Sequence, residues 1–422
     1  MSARRKLFGS AVIYTVIAGV GAGIPLILLP VLTRLLSPEE YGKVAMFSVV
    51  VQVLGTLTGL SVHGAVGMRY FDRDKLDFPR YVASCLTILL ASTALVLVLV
   101  LLALSWVEGF TKLPGYWLVL AVLLSGTNFI VQTQLAIWQS GRQALRFGML
   151  RIAQAVTDLV LSLLLVVVAG LAWQGRISGI VIAGFAAAAV ALATLVRGKW
   201  LRFPIERGYI ENALRFGVPL VPHAIGGMLI AMVDRFMISN ILDVASTGIY
   251  MVALQIGLVL NLVNDALNRA YSPELIEQLK IGDPDRDVRI VRATYAYFLA
   301  LLVVGAALGF LAPSILGVLV GAKFQAAAPV VIFITIGQAF SGMYMMVATY
   351  IFYAGRTASL AAITLSCGLL NVGISYWLLR TEGLMGAALA FMIAQAALFL
   401  GAWWLSNRSR SMPWLKALRP RN

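Results

Sequence analysis

The sequence predicts an all-α integral membrane protein, with about twelve transmembrane helices in two parallel six-helix repeats that form two lobes around a central cleft. Three observations predict this fold: the hydropathy, the distribution of positive charge, and an internal repeat. Of the 422 residues, 60% are hydrophobic and 12% are charged, and the mean hydropathy is +0.90. Because a soluble domain carries about 25% charged residues, this composition indicates a chain surrounded by lipid.

Hydropathy defines the individual spans. A helix that crosses a bilayer needs about 20 mostly apolar residues. Twelve segments meet this requirement: 9–33, 44–66, 81–105, 116–138, 147–171, 177–196, 213–238, 248–268, 293–318, 327–352, 358–379 and 384–405. The two longest polar connections, 197–212 and 268–292, are too short for a folded domain. We expect the second to be a solvated amphipathic connector.

The basic residues assign an orientation to these spans. If the N-terminus is cytoplasmic, the inside loops carry 24 of the 33 Lys and Arg residues and the outside loops carry six. This bias follows the positive-inside rule, so both termini are expected in the cytoplasm. The net charge of +15 then reflects membrane topology, and no nucleic-acid partner is expected.

Short matches at a separation of about two hundred residues reveal a repeat. The matched pairs are Phe8-Gly9 with Phe216-Gly217, Gly42 with Gly248, and Gly141-Arg142 with Gly355-Arg356. With six spans per half, the chain returns to its starting side of the membrane before the second half begins. Both halves therefore have the same orientation, and the repeat is parallel. The predicted divisions are an N-terminal lobe at 1–200, a C-terminal lobe at 201–406, and a basic cytoplasmic tail at 407–422, with Trp414 at the lipid surface.

Glycine and proline are concentrated in the first and seventh spans. The first span reads GVGAGIPLILLP and the seventh FGVPLVPHAIGG. Broken helices at corresponding places in two halves indicate the moving, substrate-facing elements of a transporter. The alternative stays open, since small residues in membrane helices also serve close packing.

One carboxylate lies deep in a predicted span. Arg151, Gln154, Asp158 and Ser162 share one face of the fifth span, with Asp158 near its middle. A charge at this depth costs about 2.5–3.5 kcal/mol, so Asp158 should face protein or water. Arg151 is its candidate partner. Two interpretations stay open: a structural ion pair, or an aqueous cleft in which Asp158 takes up a proton or another cation.

Other polar side chains in the spans are candidates for the same cleft. These further cleft or coupling candidates are Gln52, His63, Asp234, Asn261 and Asp265. His63 would titrate near neutral pH, although a lone histidine is more often a packing residue.

Several arginines lie at span ends, where they would either reach the headgroups or hold an anion. They are Arg34, Arg69, Arg215 and Arg235. Long basic side chains commonly extend to the headgroup region. The forked donors of arginine also suit a phosphate at that depth.

Enzyme chemistry has no signature in this sequence. It has no Walker loop, nucleophile elbow or metal-ligand spacing, and it holds only two cysteines and two histidines. We therefore expect no enzyme activity, no metal and no cofactor. Without an ATP site, active transport would use a coupling ion (proton or sodium), the membrane potential or substrate mass action.

Three stretches resemble a known family. LPVLTRLLSPEEYGKVAMF resembles the first outer turn of polysaccharide-export flippases of the O-antigen (Wzx-type) kind, and MVDRFMISNILDVASTGIYMVA resembles its second-half counterpart, with an Asp-Arg pair and Gly-x-Tyr. YAGRTASLAAITLSCGLLNV is similar to the connection between their tenth and eleventh helices. These flippases belong to the multidrug/oligosaccharidyl-lipid/polysaccharide (MOP) superfamily.

The resemblance implies a flippase that moves undecaprenyl-diphosphate-linked oligosaccharide from the inner to the outer leaflet of the bacterial inner membrane by alternating access. Its expected partners are this substrate, membrane lipids and a polysaccharide polymerase or glycosyltransferase. The family's cationic lumen would map onto Arg34, Arg69, Arg151, Arg215 and Arg235.

Two departures keep other functions open. Lipid II flippases of the superfamily usually have fourteen helices, and multidrug relatives often carry a carboxylate in the first helix, which residues 9–33 lack. The alternatives are a multidrug or organic-cation antiporter with Asp158 as its coupling carboxylate, and a non-transporting scaffold of a polysaccharide-synthesis complex.

Overall fold

The computed structural model describes residues 19, 21, 23–281, 284–354, 356–410 and 412–417, and in this part of the chain every regular element is a helix. The chain divides into two compact units, unit 1 at Met1–Ile225 and unit 2 at Gly226–Asn422. The lobes expected at 1–200 and 201–406, with a separate tail at 407–422, stay a prediction.

Nine helices lie in the described part of unit 1. They are α1 (Gly23–Leu35), α2 (Pro38–Leu57), α3 (His63–Arg69), α4 (Phe78–Leu102), α5 (Leu104–Thr111), α6 (Gly115–Ser140), α7 (Ala144–Leu163), α8 (Ala172–Arg197) and α9 (Arg207–Gly217). A short π-helical segment, Leu164–Val168, extends α7.

Unit 2 begins at Gly226, inside the helix that follows α9. Its described helices are α10 (Leu220–Ile241), α11 (Val244–Ile281), α12 (Pro284–Leu319), α13 (Ala328–Tyr353), α14 (Thr357–Ser409) and α15 (Trp414–Ala417). Within this unit α13 packs against α11, α12 and α14.

The helices account for the predicted spans. Within the described residues, ten helices are long and apolar enough to cross a membrane. One of them, the 52-residue stretch Ala358–Ser409, is broken at Gly383 (φ 59°, ψ −138°) and contains both of the last two predicted spans. Helix α1 is the described part of the first span, and residues 9–18 lie outside the described residues. The protein is therefore a multi-pass membrane protein.

The internal repeat recurs in the local structure of α2 and α11. The hydroxyl of Ser37 accepts a hydrogen bond from the backbone N–H of Glu40 at 3.2 Å, and Asp243 Oδ1 accepts one from the N–H of Ser246 at 2.6 Å. Both are side-chain caps that satisfy the first N–H groups of a helix. Gly42 and Gly248 follow these caps and are both buried. Residues 8, 9 and 355 of the other matches lie outside the described residues.

The second predicted span is not one continuous helix. Helix α2 ends at Leu57, and Gly59, Leu60 and Ser61 have positive φ angles of 76°, 48° and 58°. The side chain of Ser92 accepts the N–H of Gly59 at 2.8 Å, and Thr58 Oγ1 donates to Ser125 Oγ at 3.2 Å. The expectation of a single helix over 44–66 is wrong because contacts from α4 and α6 stabilise a break.

The predicted breaks in the first and seventh spans have different outcomes. Helix α1 continues through Pro25 and Pro30, so its described part is unbroken. The seventh span is interrupted between α9 and α10, at residues 218–219. At this point Gly217 packs directly on the carbonyl of Leu60, where a Cβ atom would overlap the oxygen.

The long polar connection in unit 2 is mostly helical. Helix α11 continues to Ile281 and α12 starts at Pro284, while Leu275, Leu279 and Ile290 are buried. A solvated connector is therefore the wrong description of 268–292. These apolar side chains have a partner that the sequence did not reveal, which is the tail of the chain.

Trp414 is buried in unit 2 and does not lie at the lipid surface. Its side chain is 7% exposed, and its ring lies 5.3 Å from that of Trp403, 5.8 Å from Tyr295 and 6.2 Å from Tyr350. Tyr295 Oη donates to the carbonyl of Trp414 at 3.3 Å. The predicted position of Trp414 at the lipid surface is therefore wrong, because an aromatic pocket from three distant segments encloses the indole.

The break after α2 generates a stability prediction. Replacing Gly59 by Ala adds a Cβ that overlaps the Phe129 ring, at a positive φ that disfavours any L side chain. We expect a loss of about 2 kcal/mol or more, measured by thermal unfolding of the detergent-solubilised protein. Gly55→Ala is the control, since Gly55 is helical with nothing within 4 Å. Equal stability of the two variants would contradict the packing described here.

Candidate functional site

Asp158 is held by an ion pair that joins α7 to α8. Its Oδ1 accepts from Arg176 Nη1 at 2.5 Å and its Oδ2 from Arg176 Nη2 at 3.3 Å. Ser162 Oγ donates to the same carboxylate at 3.2 Å. The Arg176 and Asp158 side chains are only 11% and 22% exposed. This bidentate geometry is the strong form of an Arg–carboxylate contact.

The prediction that Arg151 is the partner of Asp158 is therefore wrong. Arg151 instead donates to Gln132 Oε1 on α6 at 3.2 Å. Two glycines of α8 explain why Arg176 is the partner: a Cβ on Gly179 would lie 2.6 Å from Ser162 Oγ, and one on Gly175 would lie 2.8 Å from the carbonyl oxygen of Leu165. Because these glycines let α8 approach α7 closely, Arg176 reaches Asp158. A coupling function of Asp158 stays a prediction.

Arg69 connects α3 to α9 in unit 1. Its Nε donates to Asn212 Oδ1 at 3.2 Å and its Nη1 to Asp72 Oδ2 at 3.1 Å. Tyr81 Oη donates to the same oxygen of Asn212 at 3.2 Å. With these donors engaged, Arg69 serves to fix the position of α9.

Arg215 is exposed on the opposite face of α9. Ala213 and Gly217 are buried, while Arg207, Glu211 and Arg215 follow one another at four-residue spacing on the exposed side. Arg207 pairs with Glu211 at 3.1 Å. Arg215 makes no hydrogen bond or ion pair with any described residue, so its guanidinium is available to a ligand. Arg34, in the last turn of α1, is also exposed.

In unit 2 the structure joins Asp234, Arg235 and Tyr250. Asp234 Oδ1 accepts from Arg235 Nη1 at 3.0 Å, and its Oδ2 accepts from Tyr250 Oη at 2.5 Å. The side chains of Asp234 and Arg235 are 2% and 13% exposed. The pair is therefore a buried, neutralised unit. Tyr250 was not among the predicted site residues, yet the Asp-Arg and Gly-x-Tyr pattern of the family resemblance contains all three residues.

The remaining candidates are not gathered into one cluster. Gln52 is exposed, and the ring of His63 packs edge-on against Phe129 with centroids 5.5 Å apart, as in an ordinary packing contact. The Oε1 of Gln154 and the Oδ1 of Asn261 are buried without a hydrogen bond to the described residues.

The candidates are divided between the two units. Unit 1 contains Arg34, Gln52, His63, Arg69, Arg151, Gln154, Asp158 and Arg215, and unit 2 contains Asp234, Arg235, Asn261 and Asp265. Asp265 is half-buried on α11.

Comparison with known proteins gives a family. The sequence profile described as polysaccharide biosynthesis protein matches residues 8–273. An uncharacterized membrane protein of Haemophilus influenzae is 23% identical over 372 residues, covering 85% of this chain and 87% of that protein. The amylovoran biosynthesis protein AmsL of Erwinia amylovora is 24% identical over 241 residues, covering 56% of this chain and 60% of the relative.

Solved structures show the same fold. The lipid II flippase MurJ in an inward closed conformation matches with a TM-score of 0.73 at 14% identity, covering 94% of this chain and 87% of that one. An inward-facing multidrug MATE transporter of the MOP superfamily matches with a TM-score of 0.68 at 16% identity, covering 93% and 94%. The predicted fold is confirmed. The chain therefore belongs to the polysaccharide biosynthesis protein family and has the fold of the MOP superfamily.

Proposed function

We propose that this protein is a flippase for undecaprenyl-diphosphate-linked oligosaccharide, which it moves from the inner to the outer leaflet of the bacterial inner membrane by alternating access. Membership of the polysaccharide biosynthesis family supports the class of substrate. The amylovoran biosynthesis relative and the lipid II flippase, which shares the fold, support the same class. The charge bias of the loops supports a cytoplasmic location for both termini.

The exposed guanidinium of Arg215 is the observation that carries the proposal. Arg69 and Arg235 are paired with the carboxylates of Asp72 and Asp234, and Arg151 donates a hydrogen bond to Gln132, so the donors of all three are at least partly engaged within the protein. Arg215 is exposed at the end of α9, next to the break that precedes α10. A diphosphate at headgroup depth offers the oxygens that such a forked donor binds best, while the lipid tail stays in the bilayer.

The energy source and the partners follow from the same proposal. No cofactor takes part, and transport uses a proton or sodium gradient, the membrane potential or removal of the product. A polymerase or glycosyltransferase that consumes the flipped oligosaccharide is the expected protein partner.

The drug-antiporter alternative requires Asp158 to bind and release a cation or a proton. The bidentate contact with Arg176 opposes this, because release of Asp158 would leave a guanidinium unpaired in the membrane. This pair supports a structural function for Asp158 and favours the flippase.

The first prediction concerns Arg215 in the native host. Arg215→Ala should reduce surface polysaccharide at least about tenfold and accumulate the lipid-linked oligosaccharide in the inner leaflet, because a charged hydrogen bond contributes roughly 1.5–3 kcal/mol. Arg207→Ala is the matched control, since Arg207 shares the same exposed face and is 93% exposed. The measurement is leaflet-resolved quantification of the lipid-linked sugar, with protein levels checked by immunoblot.

Two results would oppose this proposal. Normal surface polysaccharide in the Arg215→Ala strain would exclude Arg215 as a substrate contact. Unchanged lipid-linked sugars in a strain that lacks the gene and every other flippase would exclude the transport function itself.

The second prediction concerns the buried pair. Asp158→Leu alone should lower stability by about 3–5 kcal/mol, because Arg176 is left buried and unpaired. Asp158→Leu combined with Arg176→Leu should restore thermal stability in detergent and retain polysaccharide export. A double variant that is stable but inactive in export would instead identify Asp158 as a coupling carboxylate.

A further inference from the structure

An apolar groove lies along α7 and α8 in unit 1, and neither Asp158 nor Arg176 is part of its lining. It encloses about 430 Å³ and its lining includes Trp138, Arg146, Met149, Gln154, Ala187 and Val190. No acidic residue of the described chain lines it. The proposed function does not use this groove.

Small side chains on α8 create the groove. Ala183 and Ala187 are buried at its floor, because their side chains are too short to fill the space beside α7. Met149 and Val190 form its rim and are 63% and 52% exposed. Because these rim side chains are apolar and α7 lies within a candidate membrane span, the open side of the groove suits contact with an acyl chain.

The length of the groove matches one leaflet of the membrane. Its lining on α7 runs from Arg146 to Thr157, which at 1.5 Å per residue spans about 16 Å. The hydrocarbon core of a bilayer is about 30 Å thick, so half of it is about 15 Å. A single acyl chain that starts at Arg146 would therefore reach the bilayer centre within the groove.

Charge identifies the headgroup. Arg146 lies in the first turn of α7, at the end of the groove that the predicted topology places near the cytoplasmic surface. It is exposed and donates to Gln143 Oε1 at 3.0 Å. A cation at the membrane surface attracts anionic lipid. We propose that the groove holds one acyl chain of an anionic phospholipid, whose phosphate lies on Arg146. On the predicted topology this lipid belongs to the cytoplasmic leaflet.

Replacing Gln154 tests whether the occupant of the groove is apolar or polar. Its Oε1 lies buried in the deep part of the groove without a hydrogen bond to the described residues. Gln154 is a polar residue of the groove lining, and an acyl chain gains no hydrogen bond from its amide, so Gln154→Leu should retain the lipid as well or better. A polar occupant would be lost in the same variant.

The experiment uses the full chain in nanodiscs that contain phosphatidylglycerol and phosphatidylcholine. Native mass spectrometry measures the lipid that stays bound after release from the disc. Bromine-labelled phosphatidylglycerol reports occupancy by quenching the fluorescence of Trp138. The Trp138 signal is obtained as the difference between the native protein and Trp138→Phe.

Arg146→Gln should weaken phosphatidylglycerol retention about fivefold, the effect of one basic residue at the membrane surface. Arg73→Gln, an exposed arginine of unit 1 outside the groove lining, is the matched control and should change nothing.

The outcomes separate the possible occupants. Loss of bound phosphatidylglycerol in Arg146→Gln, with retention in Gln154→Leu and Arg73→Gln, supports the proposal. Unchanged retention in Arg146→Gln, loss in Gln154→Leu, or displacement of phosphatidylglycerol by an equimolar polyprenyl phosphate would each overturn it.

Discussion

The structure depends on the absence of water from the hydrocarbon interior. Every backbone N–H and C=O in that layer must be paired within the protein, which confines the membrane part of such a chain to helices. The break after α2 shows how an exception is accommodated. Where Gly59 leaves the helix, the hydroxyl of Ser92 accepts its N–H, and Thr58 bonds to Ser125. The Ser92 side chain of α4 thus replaces one backbone hydrogen bond that the helix no longer makes, while Thr58 and Ser125 add a side-chain hydrogen bond between the break and α6.

The same constraint organises the charged side chains. Asp158 with Arg176, and Asp234 with Arg235 and Tyr250, are compensated before any ligand arrives. The guanidinium groups of Arg176 and Arg235 are therefore not available to an anionic headgroup. Arg215 lies outside the buried networks, on a helix that Arg69 and Asn212 fix to unit 1. Under the proposed function, the residue that contacts the substrate is then separate from the pairs that stabilise each unit.

The sequence was sufficient for the features that depend on local composition. Hydropathy located the spans, and the Gly42 and Gly248 segments both follow a side-chain cap, at the starts of α2 and α11. The features that it could not supply depend on contacts between distant segments. Arg176 reaches Asp158 only because Gly175 and Gly179 allow α8 to approach α7, and spacing along one helix pointed to Arg151 instead. The Asp-Arg and Gly-x-Tyr pattern can be read in the sequence, but the pattern does not specify that Tyr250 donates a hydrogen bond to Asp234.

The buried position of Trp414 has a consequence for the order of assembly. Its indole completes a cluster with Tyr295, Tyr350 and Trp403, and Arg292 donates to the carbonyl of Ala417 at 3.1 Å. These last described residues leave the ribosome after every predicted span has been synthesised. The aromatic cluster around Trp414 can therefore form only after the last predicted span has been synthesised, late in the assembly of unit 2.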